Sequence, residues 1–189
     1  MSTPKLRVAI FIDGLNTMFR LRDSGWEEFF DVGHLGQRLA RNRQLVGVYF
    51  FRAVPSCPPL DKVQYWKERQ HLDRVEEQLR SDHGERVRYG YMAPRGRSWE
   101  EKQVDVWLAC EMLNKAFRNT YDIAILVTAD TDLVPAVHHT RMLGKGVELL
   151  VFPKSSVTIT QLVRAVNSTT TARRSFFQPY NAPTGLALN

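Results

Sequence analysis

The stretch LRVAIFIDG, residues 6–14, decides how the rest of the chain is read. Its apolar run is too short for a helix and stops on Asp13-Gly14, so it predicts a buried strand followed by a tight turn. Working outward, strands of the same kind recur with helical pattern between them. LVGVYFFRAV, residues 45–54, is a β-rich run halted by Pro55. Residues 87–92 set Val87, Tyr89 and Tyr91 against Arg88 and Gly90, and IAILV, residues 123–127, predicts a buried strand. The last strand is expected over residues 147–152. Asp31 predicts the cap of a helix over 31–41 that carries Val32, Leu35 and Leu39 on one face. Further helices are expected over 60–81, 102–117, 133–142 and 158–166, with residues 93–98 as a loop.

Strands separated by helices pair in parallel through right-handed crossovers. Near-continuous apolar strands require a sheet covered on both faces. The expected fold class is therefore α/β: a three-layer α/β/α sandwich around a central, mainly parallel sheet of Rossmann-like type. The 189 residues suit one domain. It is expected over residues 1–167, with 168–189 as a polar tail whose Phe176, Phe177 and Tyr180 dock back onto it.

Composition narrows the function. Hydrophobic residues make up 43% and charged residues 24%, the balance of a globular chain. No apolar run approaches the roughly 20 residues of a membrane span, so no membrane partner is expected. The first residues carry no long apolar segment of the secretory kind. Cys57 and Cys110 are the only cysteines, too few for a disulfide framework, which favours a cytoplasmic protein with reduced thiols. The formal net charge is +6, and no Asp or Glu follows Glu148. A basic balance of this kind favours polyanionic partners. A homodimer is left open.

In such sheets ligands bind beyond the carboxyl ends of the strands, where strand order reverses. The first strand ends in Asp13, with Asn16 three residues on. The strand at 123–127 runs into Thr128-Ala129-Asp130-Thr131-Asp132. The helix between them is expected to open on Glu100-Glu101-Lys102-Gln103-Val104-Asp105. If that opening lies over the same edge, Asp13, Asp105, Asp130 and Asp132 converge. Two such charges about 4 Å apart repel by roughly 4 kcal/mol at an effective dielectric of 20. Four of them protonate or recruit a cation. An all-oxygen donor set without Cys or His selects Mg²⁺ or Mn²⁺ over zinc. Lys102 is a candidate counter-charge or phosphate ligand, and Arg95 and Arg97, flanking Gly96, form a candidate phosphate clamp. Each acid also has an ordinary structural reading. Asp13, Asp130 and Asp132 suit turn or cap positions, and Asp105 suits a first helical turn.

The segments Phe11-Ile12-Asp13-Gly14-Leu15-Asn16, Lys102-Gln103-Val104-Asp105-Val106 and Thr128-Ala129-Asp130-Thr131-Asp132-Leu133-Val134-Pro135 resemble, in order, the three signature segments of NYN-domain proteins of the PIN-like nuclease superfamily. The resemblance covers about residues 6 to 166. It implies a PIN-like fold and metal-dependent ribonuclease activity, hence RNA as partner. Asp13, Asp105, Asp130 and Asp132 would be the metal and catalytic residues, with Asn16 and Thr128 as polar supports. The sequence departs from the family pattern where Thr128-Ala129-Asp130 replaces the usual Ser-Gly-Asp, and where Glu111 replaces an Asp. Six helical residues turn about 600°, so Glu111 is expected beside the site at most, as a support. Two other readings stand next to ribonuclease: a catalytically inactive RNA-binding module that keeps a structural ion, and a metal-dependent phosphatase. Against the last, Phe11 occupies the place of the first Asp in the Asp-x-Asp-Gly-Thr phosphatase motif.

Overall fold

A computed structural model describes residues 4–54, 62–80, 87–95, 98–153 and 159–180. Strand β1 (Arg7–Asp13) leads into α1 (Gly14–Asp23) and α2 (Val32–Ala40), then β2 (Gln44–Val54), α3 (Lys62–Arg80), β3 (Val87–Arg95) and β4 (Ser98–Lys102). Helix α4 (Val104–Phe117), β5 (Ile123–Val127), α5 (Val134–Met142), β6 (Gly146–Val151), α6 (Thr160–Ala165) and β7 (Ser168–Thr171) complete the order. The seven strands form one sheet in the order β4-β3-β2-β1-β5-β6-β7. Every pairing is parallel except β3 with β4.

Side-chain alternation builds the three layers. In β1, Val8, Ile10 and Ile12 face one core, and Ala9 and Phe11 face the other. The first core is roofed by Leu21 of α1, Val32, Leu35 and Leu39 of α2, and Leu72, Val75 and Leu79 of α3. The second is roofed by Leu108 and Met112 of α4, Val137 of α5 and Leu162 of α6. The sheet grows in one direction from β1 through β4 and in the other from β5 through β7. Right-handed crossovers then put α1–α3 on one face and α4–α6 on the other. The reversal lies between β1 and β5.

The α/β sandwich read from the sequence is the observed fold, and most element boundaries fall within two residues of expectation. Three elements were not anticipated. Helix α1 begins at Gly14 itself, where a turn was expected. It buries only Thr17, Met18 and Leu21 after that glycine. Strands β4 (SWEEK) and β7 (STTT) are short and polar, which is how exposed sheet edges are protected from pairing with other chains. Their polarity hides them from a hydrophobicity pattern. The sheet therefore does not stop at the boundary expected at 167. Strand β7 pairs with β6, and Phe177 is buried against Phe30 and Phe152. Trp66 and Trp107 are exposed, because α3 and α4 turn other residues inward. Cys57 lies outside the described residues, and Cys110 is a free, exposed thiol.

The β3–β4 hairpin fixes where α4 begins. Gly90 meets the backbone of Lys102 so closely that a Cβ would fall 2.1 Å from the Lys102 carbonyl oxygen. Gly90→Ala is expected to destabilise the fold by about 2 kcal/mol or more, because the obstacle is backbone and not a movable side chain. Urea unfolding at neutral pH checks this; an unchanged midpoint would show that the hairpin yields without loss.

The acidic edge at the β1–β5 reversal

The reversal point brings the ends of β1 and β5 side by side, with Ile12 registered on Val127. Asp13, the next residue of β1, is the N-cap of α1, and one of its carboxylate oxygens accepts from the Asn16 backbone N–H at 3.0 Å. Its other oxygen accepts from the Thr128 hydroxyl at 3.1 Å. Thr128 Oγ1 in turn accepts from the Asp130 N–H at 3.0 Å. The Asn16 side-chain oxygen accepts from the Ala129 N–H at 2.9 Å. Asn16 and Thr128 thus stitch the two strand ends together and fix the orientation of Asp13. The chain must pass close to β2 here: a Cβ on Gly14 would lie 2.6 Å from the Phe50 ring.

Asp130 repeats the capping role. Its carboxylate accepts from the Asp132 N–H at 2.8 Å and caps the 3-10 turn Thr131–Leu133. Asp132 is exposed. Asp105 arrives by a different route from the expected one. Glu100, Glu101 and Lys102 are not helical; they belong to β4. Helix α4 starts only at Val104, after Gln103 takes a left-handed conformation with φ of 70°. Non-glycine residues adopt this region rarely. The sharp turn at Gln103 sets Asp105 in the first turn of α4, which packs against the 3-10 turn carrying Asp132.

Electrostatics tie these groups together. Asp13 is only 4% exposed, and burial pushes its carboxyl up from 3.8 to about 7, with the charges of Asp105 and Glu101 adding to the rise and the Asn16 and Thr128 hydrogen bonds opposing it. Asp105 is also raised, first by desolvation of its carboxyl and then by the charges of Asp130 and Asp132. All four sequence-selected acids therefore lie in one repulsive field at the sheet's carboxyl edge.

The field does not amount to a closed ligand shell. Among the described residues, no three His, Cys, Asp or Glu side chains form a group that could hold a metal ion. The donor set still fits a hard divalent cation. All the donors are carboxylate oxygens, and the innermost is destabilised as an anion. Mg²⁺ characteristically keeps several waters and is held through one or two carboxylates.

Two residues of the region escaped the sequence reading. Glu101 accepts from the Ala53 N–H at 2.9 Å and lies 3.6 Å from Arg52. Burial raises its carboxyl, with Arg52 opposing. Arg52, 4% exposed, also pairs with Glu68 at 2.7 Å. The sequence did hold a signal: an arginine inside the apolar run of β2 requires buried carboxylate partners.

The remaining candidates stand apart from the four acids. Glu111 is ion-paired with Lys115 at 3.1 Å on the flank of α4. Lys102 and Arg95 both pair with Glu100, at 2.9 and 3.2 Å, on the hairpin. Arg97 lies outside the described residues. Strand β3 runs seven residues past Arg88, which shares the level of Asp13 through Phe51. At about 3.3 Å per residue, Arg95 overhangs the acidic edge by roughly 20 Å.

Comparison with known proteins agrees with this architecture. The family model for the NYN domain matches residues 7–173. No curated protein matches the chain. Among solved structures, a protein of unknown function from Vibrio parahaemolyticus matches with a TM-score of 0.68 and 21% identity, covering 94% of this chain and 99% of that one. At that identity the likeness speaks for the fold alone. No helix among the described residues is long and apolar enough to cross a membrane.

Proposed function

We propose, from the premise that this chain belongs to the NYN domain family and so to the PIN-like nuclease superfamily, that it is a divalent-metal-dependent ribonuclease. The observation that carries the proposal is Asp13, a buried carboxyl raised to about 7 at the strand-order reversal, within the field of Asp105. As an anion, a carboxyl buried in this way costs the fold stability that a bound cation would restore.

Asp13, Asp105, Asp130 and Asp132 are the residues that would hold Mg²⁺ or Mn²⁺. When bound, the ion lowers the pKa of a water and neutralises charge developing on the phosphate during hydrolysis. The chain's own groups do the rest. Asn16 and Thr128 hold Asp13 in one orientation through their hydrogen bonds. Asp130 and Asp132 are kept on the loop after β5 by the Asp130 cap. Lys102 and Arg95 on the overhanging hairpin exchange Glu100 for substrate phosphate. RNA as the substrate rests on the family and on the +6 net charge. Two cysteines, one of them a free thiol, suit work in a reducing cytoplasm.

The decisive experiment incubates labelled single-stranded RNA with the protein and Mn²⁺, and repeats it with Asp130→Asn. Cleavage is expected from the wild type. The variant is expected to lose about 100-fold or more in rate, since a metal ligand contributes several kcal/mol, while binding RNA as before. Intact RNA that is nevertheless bound by the wild type would move the chain to the binding-module class. Hydrolysis of small phosphate monoesters without RNA cleavage would move it to the phosphatases.

A further inference from the structure

The acidic edge is not the molecule's only concave polar surface. At the lateral edge of the sheet, the end of α2 lies beside the outer strand β7 and leaves an open groove of about 740 Å³. Arg38, Arg41 and Arg173 line it, with Asn42 and the β7 threonines, and among the described residues no Asp or Glu contributes to its wall. A volume of this size is that of a ligand site rather than a packing gap.

The charge in this groove is uncompensated. Elsewhere the arginines beside the sheet are neutralised: Arg7 by Asp122, Arg43 by Glu148, and Arg52 by Glu68 and Glu101. Arg43 is two residues from Arg41, so the contrast is local. None of Arg38, Arg41 and Arg173 pairs with a described carboxylate. Arg38 lies over the Phe176 ring at 6.0 Å, and Arg41 reaches Thr170 Oγ1 at 3.4 Å. Arg41 also closes α2 with φ of 55°, a left-handed turn that carries the chain round into β2. These contacts hold the guanidinium groups along the groove and leave their charge unmatched.

We infer that this groove is a second binding site, which takes the sugar–phosphate backbone of a nucleic-acid strand. The planar guanidinium fork matches phosphate oxygens two at a time, and threonine hydroxyls and the Asn42 amide add donors suited to the same group. The groove exposes no aromatic face on which bases would stack, because Phe176 is buried beneath Arg38. It therefore reads backbone rather than sequence. Through the pairing register Thr169 of β7 is level with Phe11 of β1, so the groove lies to the side of the acidic edge, three strands away. Three strand spacings separate β7 from β1, roughly 14 Å and more than one Debye length, so the groove does not serve mainly to neutralise the acidic cluster. Its contribution is to hold the part of a long strand that lies outside the reacting site. This inference rests on the nucleic-acid reading given above, though not on catalysis.

The test measures binding of a long, mixed-sequence, fluorescein-labelled single-stranded RNA by anisotropy, in EDTA so that nothing is cleaved, across a salt series. Wild type is compared with the Arg38→Ala/Arg41→Ala/Arg173→Ala triple variant. A second variant, Arg41→Ala/Arg173→Ala, leaves Arg38 on Phe176 in case the triple fails to fold, and Arg118→Ala controls for loss of any exposed charge. The triple variant is expected to bind at least about tenfold more weakly, with a log–log salt slope shallower by about 2, at roughly 0.7 per lost phosphate contact. The double variant is expected to show most of that effect and the control none. Unchanged affinity and slope in a folded double variant would overturn the inference. So would equal competition by a free mononucleotide or inorganic phosphate, which would make the groove a small-anion site. Failure of the ribonuclease reading looks different: RNA stays intact with Mn²⁺, yet the arginine variants still lose binding.

Discussion

Asp13→Asn is expected to abolish RNA cleavage, by about 1000-fold or more, and at the same time to make the metal-free protein more stable at mildly alkaline pH. The carboxyl is raised from 3.8 to about 7 in the fold. Between those values the folded state holds a proton that the unfolded state has released. Stability from this group is therefore full below about pH 4 and is lost as pH rises toward 7. At roughly 1.4 kcal/mol per pH unit, the ceiling on that loss is about 4 kcal/mol. Asn carries no charge to desolvate. Its oxygen still accepts from the Asn16 N–H, and its amide donates to Thr128 Oγ1 once the hydroxyl turns. Urea melts in EDTA near pH 8 check the stability gain, and Mn²⁺ titration of the melting temperature checks its origin. Wild type should be stabilised by Mn²⁺ through mass action, and Asp13→Asn should respond far less. A variant less stable than wild type near pH 8 would show that Asp13 is a structural cap and nothing more.

His71→Phe is expected to produce the opposite pH signature. His71 is 3% exposed, with its ring among those of Phe29, Phe30, Phe50 and Tyr180 at 5.3 to 6.0 Å. Neither of its nitrogens has a hydrogen-bond partner. Burial, with Arg52 and Arg74 adding to it, pushes the imidazole down from 6.5 to about 3. The unfolded chain binds a proton below about pH 6.5 that the fold refuses, so this stability is full above 6.5 and falls as pH drops toward 3. By about pH 4 the loss reaches roughly 3 kcal/mol. Asp13 gains a similar amount over the same interval, so the two nearly cancel in the wild type. Each variant should expose the other. Relative to wild type, His71→Phe should gain stability by about 3 kcal/mol between pH 7 and 4, and Asp13→Asn should lose about as much. Parallel curves for all three proteins would refute both assignments.

The sequence makes much of this legible because strand periodicity is strong where both faces are buried. Residues 6–13, 45–54 and 123–127 declare themselves through Val, Ile, Phe and Leu, and their alternation with helices dictates parallel pairing. The polar edge strands β4 and β7 declare nothing, since a short edge strand avoids the very pattern that reveals central ones. The missed β4 matters most for the site. It moves Glu100–Lys102 off the helix, gives Glu101 to Arg52, pairs Glu100 with Lys102 and Arg95, and leaves the turn into α4 to Gln103. In the same way, nothing in HLDRVEEQL, residues 71–79, says that His71 and not its neighbours will be caged by aromatic rings.

The order of residues alone determined that Asp13, Asp130 and Asp132 follow strands ending at one sheet edge, and it made Asp105 a fourth member on the condition that its helix opens over that edge. Element type is a local property, and the general right-handedness of crossovers carries the rest of that conclusion. Only the tertiary structure decided that Asp13 is the buried, destabilised member of the four, that Glu101 shares Arg52 with Glu68, and that Arg38, Arg41 and Arg173 share a groove lined by no described carboxylate. Burial and pairing depend on what the rest of the chain brings within a few ångströms, and Arg41 and Arg173, 132 residues apart in the sequence, become neighbours only when β7 closes the sheet.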